Sequence, residues 1–438
     1  MNAIIDKIRA AGIVGAGGAG FPTHVKLAAQ AEIFIVNGAE CEPLLRVDQQ
    51  LMALHAAELI RGVRYGMQAT GAREGIIALK AKYKPAIAAL EPRLPPDMRI
   101  HILKDVYPAG DEVITIWMAT GRRVPPAKLP LDVGVVVSNV QTLLNVVRAV
   151  EREWPVTLRT LTITGAVQRP VTVTVPIGTS YRDALALSGG PTGPGISIVE
   201  GGPMMGHLVH DLDTPVTKTT GALIALPDDN IVVRRHRRTM ADDLRVAIGC
   251  EQCNLCTELC PRHLMGHELP PHLIVRSLGY RHVATPSTLL AALTCSECAI
   301  CEFWACPVDI SPMRINAALK AEMRAQGLRY EGELRPLDPM AEFRLVPSLR
   351  LIARLGISAY NVPAPLQSEV YRPNQVRIPL RQHIGQPAQA VVAEGDEVAR
   401  GDLVGDIAEG VLGARVHASI AGRVTGVTPE HVTIAAPT

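Results

Sequence analysis

Eight of the nine cysteines lie in two groups, Cys250, Cys253, Cys256 and Cys260, then Cys295, Cys298, Cys301 and Cys306. The first group reads C-x2-C-x2-C-x3-C followed by Pro261, placing three thiolates in one tight loop and a fourth just beyond, as a cubane iron–sulfur cluster requires. The second reads C-x2-C-x2-C-x4-C before Pro307. Its last gap is one residue longer, which a small bulge before the fourth ligand absorbs. Structural zinc takes two separated C-x2-C pairs, and a third cysteine at the same short interval is surplus to that scheme. A disulfide framework belongs to a small secreted domain, whereas this chain of 438 residues reads as having no signal peptide. Two [4Fe-4S] clusters are therefore expected. In two-cluster arrangements of this spacing the fourth cysteine of each motif ligates the other cluster. Cys260 is then expected with Cys295, Cys298 and Cys301, and Cys306 with Cys250, Cys253 and Cys256, close enough for electrons to hop. The stretch reads as a wire.

A wire needs something at each end. The length allows about three or four compact units. Lys+Arg number 44 against 42 Asp+Glu, so no nucleic-acid footprint stands out. The longest uncharged stretch, Val133 to Val147, is interrupted by Ser138, Asn139, Gln141, Thr142 and Asn145 and is too short to span a bilayer. No membrane span and a cytoplasmic location are expected.

Near the amino terminus a helix over Asn2 to Ala11 leads into Gly12-Ile13-Val14-Gly15-Ala16-Gly17-Gly18-Ala19-Gly20-Phe21-Pro22. Such a loop lets backbone N–H groups approach a phosphate or a flat ring without interference from a Cβ. Gly15, Gly17 and Gly20 fit G-x-G-x-x-G, but the pattern follows a helix rather than a strand, so a plain glycine turn stays open. The strand Ile33 to Val36 then delivers Asn37-Gly38-Ala39-Glu40-Cys41-Glu42 at its carboxyl end, where open α/β sheets bind ligands. Further βα units follow: strands over Gly75 to Leu79, Met98 to Leu103 and Val133 to Val137, with the loops Tyr107 to Glu112 and Ser138 to Thr142. Residues 1–152 read as a parallel α/β domain with a nucleotide-like ligand at its rim. Lys26 alone also fits a solvated helix lysine, and Cys41 a small core residue.

These residues carry a family resemblance. Gly15-x-Gly17-Gly18-Ala19-Gly20-Phe21-Pro22-Thr23 with Lys26, then Asn37-x-x-Glu40-x-Glu42-Pro43, then Asn139-Val140-x-Thr142, resemble the FMN- and NADH-binding subunit of respiratory complex I. The resemblance is closer still to the RnfC component of the Rnf electron-transport complex, which joins this domain to a two-cluster ferredoxin module. It implies that Gly15, Gly17, Gly18, Lys26, Asn37, Asn139 and Thr142 hold FMN, and that Phe21, Glu40 and Glu42 face the nicotinamide nucleotide of NADH.

From Trp154 the period becomes two. The strands Thr157 to Gly165 and Val171 to Pro176, a helix over Tyr181 to Leu187 and a return strand Ser197 to Val199 suggest a β-grasp domain over 153–232. Arg234-Arg235-His236-Arg237-Arg238 reads as a solvated linker, or as a dock for an acidic redox partner. An α-helical two-cluster ferredoxin-like domain occupies 233–330, with Pro270 to Leu293 helical, and a Pro-rich linker fills 331–373. Residues 374–438 resemble an all-β barrel-sandwich hybrid of the lipoyl and biotinyl carriers, but no lysine follows Lys320, so no swinging cofactor can be attached.

The fold class is multidomain α/β. Its module order, glycine loop first and barrel-sandwich last, resembles the cobalamin reductases of propanediol-utilisation microcompartments. That resemblance implies NADH-dependent reduction of the cobalt of cobalamin through FMN and two [4Fe-4S] clusters. Its implied partners are a corrinoid, a corrinoid adenosyltransferase and microcompartment shell proteins. Two rival readings are an Rnf-like NADH:ferredoxin electron-transfer subunit docked on a membrane complex and a non-catalytic conduit within a shell.

Overall fold

The computed structural model describes residues 3–278 and 285–437. The continuous apolar run Ile33-Phe34-Ile35-Val36 is what a strand buried on both faces needs. It forms β1 (Ile33–Gly38), followed in the chain by β2 (Glu74–Lys80), β3 (Met98–Leu103), β4 (Val106–Tyr107) and β5 (Val135–Asn139). The parallel sheet runs β3-β2-β1-β5, and its register sets Asn37 beside Asn139 at the strands' carboxyl ends. The helix Ala56–Thr70 packs so tightly on β1 that a Cβ on Gly66 would stand 2.3 Å from the Phe34 ring.

The second sheet contains β6 (Leu158–Gly165), β7 (Val171–Pro176), β8 (Ile196–Glu200), β9 (His207–Leu208) and β10 (Ala222–Pro227). β6 and β7 are the expected hairpin, and β10 lies parallel to β6 and antiparallel to β8. The helix Tyr181–Ala186, capped by the Ser180 hydroxyl, covers one face. In the cysteine region the helices Met240–Ala247, Pro271–Ser277, Pro286–Leu290 and Pro312–Ala325 surround the two loops. Part of the helix expected over Pro270 to Leu293, residues 279–284, lies outside the described residues.

Two readings change. The basic run is no solvated linker. It lies on and just after the helix Ile231–Arg237, where Arg235 is buried and donates to the Glu302 carbonyl and to Asp309. Arg314 Nη1 donates to the Arg238 carbonyl (2.6 Å), so cations and carbonyls of this segment brace the second cysteine loop. The Pro-rich stretch is likewise no free tether. Its β11 (Val346–Pro347) pairs with β4, and its β12 (Leu366–Val370) extends the second sheet beside β7. The carboxyl-terminal residues form two small antiparallel sheets. They seat against the glycine loop, where Ile384 N–H donates to the Gly20 carbonyl (3.0 Å). Buried Lys218 joins the Gly12 carbonyl (2.7 Å) to that of Arg415 (2.6 Å). No helix among the described residues is long and apolar enough to cross a membrane.

Candidate functional site

The glycine loop is closed by its own backbone. Gly15 N–H donates to the Phe21 carbonyl (2.9 Å) and Gly20 N–H to that of Gly15 (3.2 Å), leaving Gly17-Gly18-Ala19 exposed at the tip. Gly18 has φ +111, a conformation open in practice to glycine. Ala16 N–H donates to Thr142 Oγ1 (2.8 Å), and a Cβ on Gly17 would stand 3.5 Å from that of Asn139. Asn139 caps the helix Val140–Arg152, accepting from the Gln141 N–H at 2.9 Å. Asn37 Nδ2 donates to the Gly110 carbonyl (2.8 Å). Gly15, Gly17, Gly18, Asn37, Asn139 and Thr142 thus share one rim, with half-buried Phe21 at the base of the loop. Beside them Arg159 Nη1 and Gln141 Oε1 are buried without a hydrogen-bond partner, capacity that a polar ring system or phosphate can satisfy.

The charged candidates are engaged by the protein itself. Lys26 Nζ pairs with Glu112 at 2.8 Å. Glu40, at φ +37, caps the helix Val47–Leu54 by accepting from the Asp48 N–H (2.8 Å). Burial, then the Glu40 charge, pushes Asp48 up to about 8. Glu42 accepts from the N–H groups of Met204 (3.0 Å) and Met205 (3.1 Å) and lies 3.3 Å from the Tyr107 hydroxyl. Burial raises Glu42 to about 7. Cys41 packs among apolar side chains, and burial pushes its thiol up to about 12, as its reading as a core residue expects.

The two cysteine loops repeat one backbone trace. Positive φ occurs at Gln252 (55) and Asn254 (61) around Cys253, and at Glu297 (59) and Ala299 (59) around Cys298. Such strained residues persist where the surroundings over-determine the loop. Cys250, Cys253 and Cys256 line a small cavity together with Cys306, while Cys260 faces Cys295 and Cys298. The longer gap is taken up by a π-helical turn over Cys301–Ala305, closed by the Cys306 N–H donating to the Cys301 carbonyl (3.2 Å). Burial pushes the Cys256 and Cys260 thiols up to about 12, so the thiolate form calls for a compensating cation such as iron. Among the described residues no three Cys, His, Asp or Glu side chains converge as they would on a single metal ion. Donors already point at sulfur: Glu297 N–H to Cys295 Sγ (3.4 Å) and Ile310 N–H to Cys306 Sγ (3.3 Å). The buried Asn316 amide reaches toward Cys295 without a well-formed hydrogen bond. These features suit a cluster whose sulfurs accept N–H groups.

Hydrogen bonds tie the rim to the cysteine loops at Tyr107 and at Arg262. Fully buried Tyr107 donates its hydroxyl to the Cys298 carbonyl (2.9 Å). Arg262, two residues after Cys260, grips Asp111 bidentately at 2.8 and 2.9 Å. Sequence reasoning marked Tyr107 to Glu112 only as a polar loop and missed Arg262, Arg159 and Asn316. Arg262, directly after Cys260-Pro261, was the one with a usable positional signal.

Comparison with known proteins matches four families along the chain: the Nuo51 FMN-binding domain over residues 8–148, the SLBB domain over 160–207, a 4Fe-4S dicluster domain over 249–311 and the RnfC barrel sandwich hybrid domain over 365–437. The cobalamin reductase PduS of Salmonella typhimurium is 61% identical over 98% of this chain and 96% of its own length, and that of Citrobacter freundii 60% over the same shares. The C component of the proton-translocating ferredoxin:NAD(+) oxidoreductase complex of Clostridium ljungdahlii is 36% identical, over 60% of this chain and 56% of that protein. Among solved structures, the NAD+-reducing [NiFe]-hydrogenase in its H2-reduced state shares the fold over 77% of this chain and 67% of that one, at TM-score 0.51 and 21% identity. The chain belongs to the cobalamin reductase PduS family, an oxidoreductase that joins an FMN-binding domain to a 4Fe-4S dicluster domain.

Proposed function

We propose that the chain carries electrons from NADH, through FMN and two [4Fe-4S] clusters, to the cobalt of a corrinoid. The acceptor is supported by the 61% identity to a protein named cobalamin reductase. When bound, FMN supplies the exchange between a two-electron hydride donor and one-electron cluster acceptors. The protein's part is to hold and orient. Backbone around Gly15, Gly17 and Gly18 approaches the ring or phosphate, and Asn37, Asn139 and Thr142 fix its edge from the strand ends. Lys26, paired with Glu112 here, would supply a cation for the phosphate, and Phe21 an aromatic face for the nicotinamide. Glu40 and Glu42 border the nucleotide by ordering the strand end on which they sit. The eight clustered cysteines hold iron, four to each cluster. Regeneration of adenosylcobalamin with an adenosyltransferase, inside or at the shell of a microcompartment, fits this reading.

The observation that carries the route is the hydrogen bond from Tyr107, at the rim, to the carbonyl of Cys298. The test is an anaerobic NADH titration of reconstituted protein, watched for flavin bleaching and then the cluster signal, followed by reduction of aquacobalamin with no membrane fraction present. Bleaching without corrinoid reduction would favour an Rnf-like role, to which the 36% identity with the ion-pump component points. Absence of any bound flavin would refute the reading.

A further inference from the structure

The eight cysteines are unequally placed. Cys260, Cys295, Cys298 and Cys301 are all buried, and the group is hydrogen-bonded to the rim through Tyr107 on the Cys298 carbonyl (2.9 Å) and through Arg262 on Asp111 (2.8 Å). In the other group Cys306 is buried, but Cys250 and Cys256 are half-buried and Cys253 is exposed. Every residue from Glu251 to Leu255 is exposed, and Ile248 beside them is 74% exposed. Tyr107 itself packs in the apolar cluster that contains Cys298, Ala299, Ile300 and Phe303. No residue of the first motif's loop, 250–256, belongs to that cluster.

We propose that electrons run against the order of the sequence. They enter at the group of Cys295, Cys298 and Cys301 with Cys260, pass to the group of Cys250, Cys253 and Cys256 with Cys306, and leave at the surface loop 251–255. The acceptor meets the chain at Cys253. This rests on the route proposed above. The balance is simple: one NADH gives NAD+, a proton and two electrons, which leave one at a time and lower two cobalts from Co(III) to Co(II). Burial of the first station keeps its electrons from other oxidants, and exposure of the second allows a bulky acceptor to approach.

The test uses the full chain, reconstituted anaerobically with FMN and iron. In Cys301→Ser protein, NADH should still bleach the flavin. The electron-paramagnetic signal of the remaining cluster should form at least tenfold more slowly, although dithionite still raises it. In Cys253→Ser protein the remaining signal should appear with NADH, while aquacobalamin reduction falls at least tenfold. A cluster signal raised by NADH at the wild-type rate in Cys301→Ser protein overturns the order. Since either serine could disturb both loops, wild-type protein reduced with dithionite gives a second readout. A dysprosium chelate in solution should speed the relaxation of one cluster signal only, and Cys253→Ser should remove that signal. Equal relaxation of both signals overturns the exit assignment. Wild-type protein whose clusters stay oxidised under NADH refutes the functional reading itself, a result separate from a reversed order.

Discussion

The contact between Arg262 and Asp111 offers the sharpest test of how the cysteine region is held to the rim. Both side chains are only 12% exposed, and the pair is bidentate at 2.8 and 2.9 Å. Asp111 also caps the helix Glu112–Thr120 through the N–H groups of Val113 (3.0 Å) and Ile114 (3.2 Å). Replacing Asp111 by alanine would therefore mix two losses. Arg262→Met is cleaner, because it keeps much of the volume and leaves the cap intact. Removing one partner of a buried pair strands the other charge and costs about 3–5 kcal/mol, roughly two to three and a half decades at 1.4 kcal/mol per decade. The turn from Cys260 to Leu264, whose Leu264 N–H donates to the Cys260 carbonyl, should open more often by about that factor. Amide hydrogen exchange at Leu264 measures it. The double variant Arg262→Met with Asp111→Asn keeps the cap and removes the stranded charge, so it should recover most of the loss. Exchange raised less than tenfold in Arg262→Met, or a double variant as poor as the single one, would refute the reasoning.

Four further outcomes are expected. Cys306→Ala should cost the cluster of Cys250, Cys253 and Cys256 and spare the other, and Cys260→Ala the reverse, with iron content falling by about half in each as expected for crossed ligation. Asn316→Leu removes an amide aimed at Cys295; loss of about 1 kcal/mol of hydrogen bonding to the reduced cluster lowers its midpoint by about 40 mV in a redox titration. Burial holds His383 down to about 4 and His417 to about 3 where the carboxyl-terminal module seats. The unfolded chain binds more protons between those values and 6.5, so this seat strengthens as pH rises through that window. Taking the pH from 6.5 to 5 should weaken it by about 1–1.5 kcal/mol per histidine, read as faster amide exchange in 374–437 and abolished by a His383→Gln, His417→Gln double variant. Gly165→Ala puts a Cβ 2.0 Å from the Ala225 carbonyl at φ +89 and should cost more than the usual 1 kcal/mol of a strained glycine, measured by urea denaturation.

Local chemistry made much of this legible. The cysteine spacing, the glycine loop and the strand ends are short-range patterns, and the structure brings Gly15, Gly17, Gly18, Asn37, Asn139 and Thr142 to one rim. The expected bulge before Cys306 is a π-helical turn, because a fixed fourth ligand leaves an inserted residue only a wider turn to occupy. What stayed hidden is pairing over long separations. The basic run looks solvated by composition alone, and only the fold shows that Arg235 is buried against Glu302 and Asp309. Glu42 likewise looks like a free acid in sequence, yet it accepts two N–H groups from residues more than 160 positions away. The proline-rich stretch hid its strands because β11 and β12 are short and owe their form to the sheets they join.

The seat of the carboxyl-terminal module bears on how such proteins can be rewired. Residues 375–437 rest against Gly12 and Gly20, so this unit adjoins the glycine loop of the flavin domain. A gene encoding the same parts in rotated order, with this unit ahead of the flavin domain, could build the same assembled surface. The order in which these parts are translated is thus loosely tied to their arrangement in space, and circularly permuted relatives should superimpose on this protein unit by unit.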